Sequence, residues 1–316
     1  MKVSLITTVL NAGGNVDRFL QTVAAQTRQP DEVVVVDGGS TDGTLQELRR
    51  AEGITLIEEP GASIARGRNV AIAAAEHDVI AVSDADCVLE PDWLERLLEP
   101  IGSGADVAMG AYRPITETFF HRCLAAVNLP DPDEWDEATF MPSGRSVAFR
   151  RQAIEAAGGY PEWLAIGEDM YVNLRWRELG LDMRLAREAV VWWRLRPDLR
   201  STWTQYFRYA RGDAIASMYP ERHALRFATY GGALYAFGSK GALRKLVALT
   251  GAGVYVTKPL RRAVRTSKDT TERVMAAAAV PTLTAFLDAA KMTGHVAGLV
   301  RRRRHAQPGG EQPGSG

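Results

Sequence analysis

The sequence predicts an α/β fold, a doubly wound and mostly parallel sheet followed by a helical C-terminal extension. Three observations carry that prediction. From Val3 to Ala111, short apolar runs alternate with stretches of helical spacing, the pattern of βαβ units. Val33–Val36 is an unbroken β-branched run, as a strand covered on both faces requires. Polar side chains gather where the strands end: Thr7, Thr8 and Asn11 after the first, Asp37 after the second, Asp84 and Asp86 after the fourth. Open sheets of this kind hold ligands outside those carboxyl ends.

Taken in order, Val3–Thr8 reads as a strand, and Val16–Gln26 has apolar residues at helical spacing. After the Val33–Val36 strand, Ser40 or Thr41 can cap a helix running to about Ala51. Ile54–Ile57 is a strand, Ser63 caps a helix through Ala75, and Val79–Ser83 is a strand again. Pro91 opens a further helix, and Val107–Ala111 closes the series. Leu129–Met141 is acidic, proline-flanked and poor in apolar residues, so a mobile loop is expected there. Ser143–Phe149 reads as a strand, and Gln152–Ala157 and Met170–Glu178 as helices ended by glycines. Ala189–Trp193 is a second apolar run before an Arg-rich and aromatic segment. These elements suggest a sheet domain over residues 1–224, with halves at about 1–112 and 113–224. A basic helical extension over 225–305 follows, and the Gly/Pro-rich 306–316 is expected to be disordered.

Net charge is zero but uneven. Residues 258–304 hold 11 Lys/Arg against 3 Asp/Glu, whereas residues 1–257 hold 27 against 34. That excess suggests an anionic surface near the C-terminus. Phe286–Val300 has apolar residues near helical spacing before Arg301–Arg304. It can be an interfacial helix or a helix packed on the body with a solvated tail. Gly231–Val256 and Ala276–Val300 are each broken by charge, short of the ~18–20 apolar residues that a spanning helix needs. A soluble or membrane-surface protein is expected. Cys87 and Cys123 make no disulfide framework or zinc pattern, and a reduced cytoplasmic compartment follows.

Ser83-Asp84-Ala85-Asp86 lies at a strand's end. A strand there would place both carboxylates on one side, where they could bridge a hard divalent cation. A solvated turn is the plainer alternative. In Asp37-Gly38-Gly39-Ser40-Thr41-Asp42-Gly43, the glycines let a ring or sugar near the backbone. Asp37 can accept from ligand N–H or O–H groups. Arg66 or Arg68, at a helix start, could reach phosphate oxygens. No G-x-G-x-x-G follows a strand and no G-x-x-x-x-G-K-[ST] is present, which disfavours a dinucleotide site and a P-loop.

Thr7-Thr8-Val9-Leu10-Asn11, the Val33–Thr44 run, Ala65-Arg66-Gly67-Arg68-Asn69 and Asp84-Ala85-Asp86 together resemble the inverting family-two glycosyltransferases of the GT-A fold. Gly144–Arg151 looks like that family's acceptor-side strand, and Gly167-Glu168-Asp169 matches its E-D motif. The resemblance covers about residues 3–213. It implies that Asp37 contacts the base, Asp84 the ribose region, and Asp86 a Mn²⁺ or Mg²⁺ ion on the diphosphate. It implies that Asp169 is the general base.

Gly144, Arg145 and Glu168 would border the acceptor. So would Trp193, Arg194, Gln205 and Arg208, in a segment similar to the Q-x-x-R-W stretch of processive members, with Tyr209 replacing the tryptophan. Gly38 stands where many members carry a second acid, and Arg145 where an Asn is common. The implied partners are a nucleotide-diphosphate sugar, with a UDP-sugar first, a saccharide or lipid-linked acceptor and an anionic membrane surface, but no nucleic acid. Three other readings fit these residues less well. A nucleotidyltransferase would want a G-x-G-T-R-type loop after the first strand. A non-catalytic relative would not need its acids, and a polysaccharide synthase would have membrane spans.

Overall fold

The computed structural model describes residues 1–305, so the tail expected to be disordered lies outside the described residues. In chain order the elements are β1 Val3–Val9, α1 Asn15–Ala24, β2 Glu32–Asp37, α2 Thr44–Arg50, β3 Thr55–Glu58, α3 Ile64–Ala74 and β4 Val79–Val82. There follow β5 Val88–Leu89, α4 Trp93–Gly102, β6 Val107–Ile115, α5 Phe119–Asn128, β7 Val147–Arg150, α6 Arg151–Ala156, α7 Glu168–Glu178 and β8 Met183–Arg194. Four helices end the chain: α8 Leu199–Ile215, α9 Pro220–Gly238, α10 Ala242–Thr266 and α11 Thr270–His305.

Two compact units result. The first comprises Met1–Ile115 and Trp135–Arg194, and the second Thr116–Glu134 and the chain from Leu195. The sequence boundary at residue 224 is therefore not where the contacts divide. α8, placed with the sheet domain by sequence, belongs with the terminal helices.

The first unit is one eight-stranded sheet in the order β3-β2-β1-β4-β7-β6-β8-β5. Six strands share a direction, while β7 runs against β4 and β6, and β5 against β8. The β-branched run predicted as a covered strand is β2, and Val34, Val35 and Val36 are buried. Val107–Ala111 does not simply extend the series, because β7 inserts between it and β4. β8 runs well beyond the predicted Ala189–Trp193. Its pairing with β6 slips between Gly110 and Ala111, which isolated residue patterns do not disclose.

Gly110 in β6 has a packing reason. A Cβ there would fall 1.9 Å from Ser146 Oγ, the hydroxyl that accepts from Trp93 Nε1 at 2.9 Å and donates to the Ala189 carbonyl at 3.2 Å.

Leu129–Met141 is not the loose loop expected. In the first unit Trp135 and Phe140 enter the core with ring centroids 5.4 Å apart. Arg177 donates to the carbonyls of Ala138 and Phe140, each at 2.6 Å. In the second unit, Arg262 pairs with Glu134 at 2.6 Å. Two aromatic anchors and guanidinium clasps outweigh the polar composition.

The second unit packs α11 on α8 through glycines. A Cβ at Gly294 would lie 2.2 Å from the Phe207 carbonyl, and one at Gly298 2.5 Å from that of Arg211. The expected interfacial face of Phe286–Val300 is thus partly spent inside the protein. Leu287 and Ala290 are fully buried, and Phe286 lies against Trp203 at 5.2 Å. By length and composition alone Thr270–Arg303 could cross a membrane, but its mid-helix charges Asp288 and Lys291 are held within this unit. Asp288 accepts from Arg226 Nε (2.7 Å), Tyr230 OH (3.1 Å) and Tyr255 OH (2.7 Å). Burial pulls Lys291 down to about 8.

Candidate active site

The site is built at the carboxyl edge of the sheet, in the first unit. β2 ends on Asp37, whose Oδ2 accepts from the backbone N–H groups of Gly39 and Ser40, both at 2.9 Å. Its Oδ1 is buried without a hydrogen-bond partner among the described residues, as are Thr7 Oγ1 on β1 and Ser83 Oγ beyond β4. Orphaned buried acceptors and hydroxyls cost stability, so such atoms at a sheet edge are positions a ligand could satisfy. Gly38 has no positive φ. A Cβ there would meet the Ala62 carbonyl at 3.3 Å, so the missing second acid reflects a tight fit more than a backbone need.

Asn11 ties the two loops together. Its Oδ1 accepts from Thr41 N at 2.8 Å, and its own N–H donates to Ser40 Oγ at 2.9 Å. Thr8 packs its methyl against Gly67, where a Cβ would come within 2.8 Å. α2 begins later than Ser40 or Thr41 would have set it. It starts at Thr44, whose N–H is taken by Asp42 Oδ1 at 3.1 Å. Ser63 does cap α3, accepting from Arg66 N at 3.2 Å.

The strand before the paired acids stops at Val82, and Asp84–Cys87 is a turn closed by Cys87 N donating to the Asp84 carbonyl at 3.0 Å. The two carboxylates are therefore not strand neighbours on one face. Asp84 is half-buried and engaged, whereas Asp86 is exposed. Among the described residues no three His, Cys, Asp or Glu side chains group to hold a metal.

What joins the site is Arg68, a residue the sequence offered only as a phosphate contact. It is buried, with Nη2 3.0 Å from Asp84 Oδ1, Nη1 2.8 Å from Glu168 Oε1, and its guanidinium 5.2 Å from the Tyr160 ring. Burial opposes its charge, but Glu168 and Asp84 outweigh that and hold it firmly protonated. Burial, then the neighbouring Asp169 charge, pushes Glu168 up to about 7 against the pull of Arg68. Gly144 makes room for this guanidinium, since a Cβ there would sit 2.1 Å from Arg68 Nη2. Gly144 N in turn donates to Asp169 Oδ2 at 3.3 Å, and Met170 N to Asp169 Oδ1 at 2.8 Å. Asp169 stands in the first turn of α7, which begins at Glu168, two residues before the Met170 expected from the sequence.

Arg145 lies 4.3 Å over the Trp193 ring, donates to Ser143 Oγ at 2.9 Å and comes within 3.9 Å of Asp84. Trp193 is buried, and its Nε1 has no partner among the described residues. Arg194 is exposed at the end of β8. Arg66 sits at the rim, 3.2 Å from Glu59 and 3.7 Å from Glu162. Gln205 and Arg208 belong to the other unit, on α8, where Gln205 donates to Tyr209 OH at 2.9 Å. The first unit thus gathers Thr7, Asp37, Asp84, Asp86, Gly144, Arg145, Glu168, Asp169 and Trp193. Sequence reasoning missed Tyr160, and it named Ser83 in the run before Asp84 without giving it a role. Ser83 carried a usable signal, being a polar residue directly before Asp84 at the end of an apolar run.

Residues 4–157 match the family described as glycosyl transferase family 2. Among curated proteins, the glycosyltransferase AglE of Haloferax volcanii is 29% identical over 207 residues, covering 60% of this chain and 65% of that protein. The O-antigen chain rhamnosyltransferase RfbN of Salmonella typhimurium is 26% identical over 206 residues, covering 60% and 66%. The chain thus spans slightly less than two thirds of these relatives. Among solved structures, a mannosyltransferase of Pyrobaculum calidifontis in complex with GDP-Man and Mn²⁺ aligns with TM-score 0.58 at 19% identity, over 97% of this chain and 88% of that one. S. aureus TarS 1–349 in complex with UDP aligns with TM-score 0.54 at 18% identity, over 98% and 95%. At such identities the likeness is one of fold.

Proposed function

We propose that this chain, which belongs to glycosyl transferase family 2 and has the GT-A fold, transfers a sugar from a nucleotide diphosphate to an acceptor hydroxyl with inversion. One observation carries the reading. Asp84, Arg68, Glu168, Gly144 and Asp169 form a continuous chain of contacts beside the unsatisfied Asp37 and Thr7 at one sheet edge.

The donor's base and ribose would satisfy Asp37 Oδ1 and the hydroxyls of Thr7 and Ser83. The two solved neighbours, one with GDP-Man and one with UDP, support a nucleoside diphosphate there, and a UDP-sugar is the first candidate. The residues fit a metal only as a shared site. Asp86 is an exposed carboxylate beside an Asp84 held by Arg68, so the remaining ligands would be hard diphosphate oxygens. Bound Mn²⁺ or Mg²⁺ would stabilise charge on the departing diphosphate.

Asp169 is the base. Two backbone N–H groups aim its carboxylate, and it takes the proton of the acceptor hydroxyl as that oxygen bonds to the sugar's anomeric carbon. The bond from that carbon to the diphosphate oxygen breaks in the same displacement, and the nucleoside diphosphate leaves with the electron pair. Arg145, held flat on the buried Trp193 ring, supplies a cationic wall for a saccharide or lipid-linked acceptor.

Calorimetric titration of UDP and GDP with and without Mn²⁺ tests the donor side. Affinity for one nucleotide should rise with Mn²⁺ and lose that rise in Asp86→Ala. Equal affinity in all conditions would end the metal-bridged reading.

A further inference from the structure

Helices α9 and α10 break the rule that a helix of a soluble protein turns its apolar stripe inward. Only His223 and Ala236 are buried in the 19 residues of α9, and only Ala263 in the 25 of α10. From Ala242 to Tyr255 nearly every residue of α10 is exposed, yet this is an apolar stretch. Leu234 is 76% exposed, Leu243 73% and Val254 70%, with Tyr235, Phe237 and Leu246 exposed beside them in sequence. Single exposed apolar residues need no explanation, but an apolar run of this length calls for a partner.

The charges identify that partner. Between Arg222 and Lys268 there is no acidic residue, and Lys240, Arg244 and Lys245 mark the α9–α10 connection while Lys258 and Arg261 follow the second apolar run. The neighbouring Arg262 and Arg265 are paired with Glu134, Asp131 and Asp133. The uncharged runs Phe227–Ser239 and Leu246–Thr257 are both well short of the ~20 residues that cross a bilayer. Apolar surface bounded by cations suits an element lying in the headgroup region of an anionic membrane. A second copy of the chain would bring the same cations together, which disfavours self-association through this surface.

We propose that the α9–α10 hairpin docks the protein on a bilayer containing anionic lipid, in place of the α11 stripe that the sequence suggested. The proposal does not depend on the transfer reaction.

Flotation of the full chain with phosphatidylcholine vesicles, with and without phosphatidylglycerol, tests it. The wild type should float with the anionic vesicles. Leu234→Glu/Leu243→Glu/Leu246→Glu should lose more than about tenfold in partitioning, since each buried CH₂ contributes to insertion. Lys240→Gln/Arg244→Gln/Lys245→Gln should lose about fivefold per charge and flatten the salt dependence. Arg301→Gln/Arg302→Gln/Arg303→Gln should stay near wild type. Unchanged circular dichroism and UDP-induced thermal shift would show that the variants are folded. The proposal fails if the wild type stays unbound at low salt, or if the triple glutamate variant floats as well as wild type. It also fails if light scattering without vesicles shows an oligomer that only this variant loses, because the surface then joins copies of the chain.

Discussion

The two units treat charge and apolar surface in opposite ways. In the first, apolar residues fill both faces of the sheet, and charge is drawn to one edge. There it is partly buried, paired through Arg68 and fitted around glycines. In the second, Asp288 and the Arg226 guanidinium lie inside, with the hydroxyls of Tyr230 and Tyr255 turned to that carboxylate, while leucines and aromatics lie outside. Among the described residues, five large exposed apolar side chains fall in the first unit and sixteen in the second. The first gathers its polar groups at a sheet edge, and the second leaves apolar surface turned outward.

The largest expected effect bears on the first unit. Asp169→Asn keeps the carboxyl's shape but cannot take a proton. Turnover with an authentic acceptor should therefore fall by ~10²-fold or more, with Mn²⁺–nucleotide affinity near wild type. Full turnover would make Asp169 only a helix-terminal anchor for Gly144 and Met170. The matching substitution in the second unit is Asp288→Ala, which strands the buried Arg226. Breaking such a pair costs ~3–5 kcal/mol, read as a drop in the denaturation midpoint. An unchanged midpoint would mean that the network inside this unit is solvated rather than structural.

Legibility in the sequence divides along the same line. β1 to β4, their helices and the acids at their ends could be read directly. Each is a local pattern, an apolar run followed by a polar turn, and the sheet keeps local order. Asp37 could be located at the end of β2 for that reason, whereas Asp84 and Asp86, expected on one face of a strand, lie in a turn. The role of Arg68 could not be read, because it rests on Glu168, 100 residues away, and on the missing Cβ of Gly144. The antiparallel insertion of β7 and the slip in β8 are pairing choices that no single strand encodes. In the second unit, helical spacing alone does not tell a core face from a lipid-facing one. The apolar residues of α11 and those of α10 look alike in sequence, but Leu287 is buried and Leu243 is not.

A smaller effect sharpens the view that the first unit's polar edge is sterically set. Gly144→Ala places a methyl where Arg68 Nη2 lies. Overpacking of this kind costs ~1–3 kcal/mol, and displaced Arg68 would release Asp84. Lower thermal stability and weaker nucleotide binding should appear together. Loss of stability alone would mean that Asp84 keeps its place without Arg68.

The smallest expected effect is a change of slope with pH. Burial raises Glu168 from the ordinary carboxyl value of 4.5 to about 7, so between those values the folded chain holds a proton that the unfolded chain has released. Stability falls with rising pH wherever the folded state binds more protons. Glu168 thus favours folding at pH 4.5 and below, and that contribution is lost as pH rises through 7. Glu168→Gln cannot titrate, and its neutral amide still reaches Arg68. The difference in melting midpoint between variant and wild type should therefore move in the variant's favour from pH 5 to pH 8. Above that range it should level off, because both wild-type states are then ionised. A constant difference would mean that Arg68 at 2.8 Å keeps Glu168 ionised throughout, and that the edge of the sheet carries its full negative charge at every working pH.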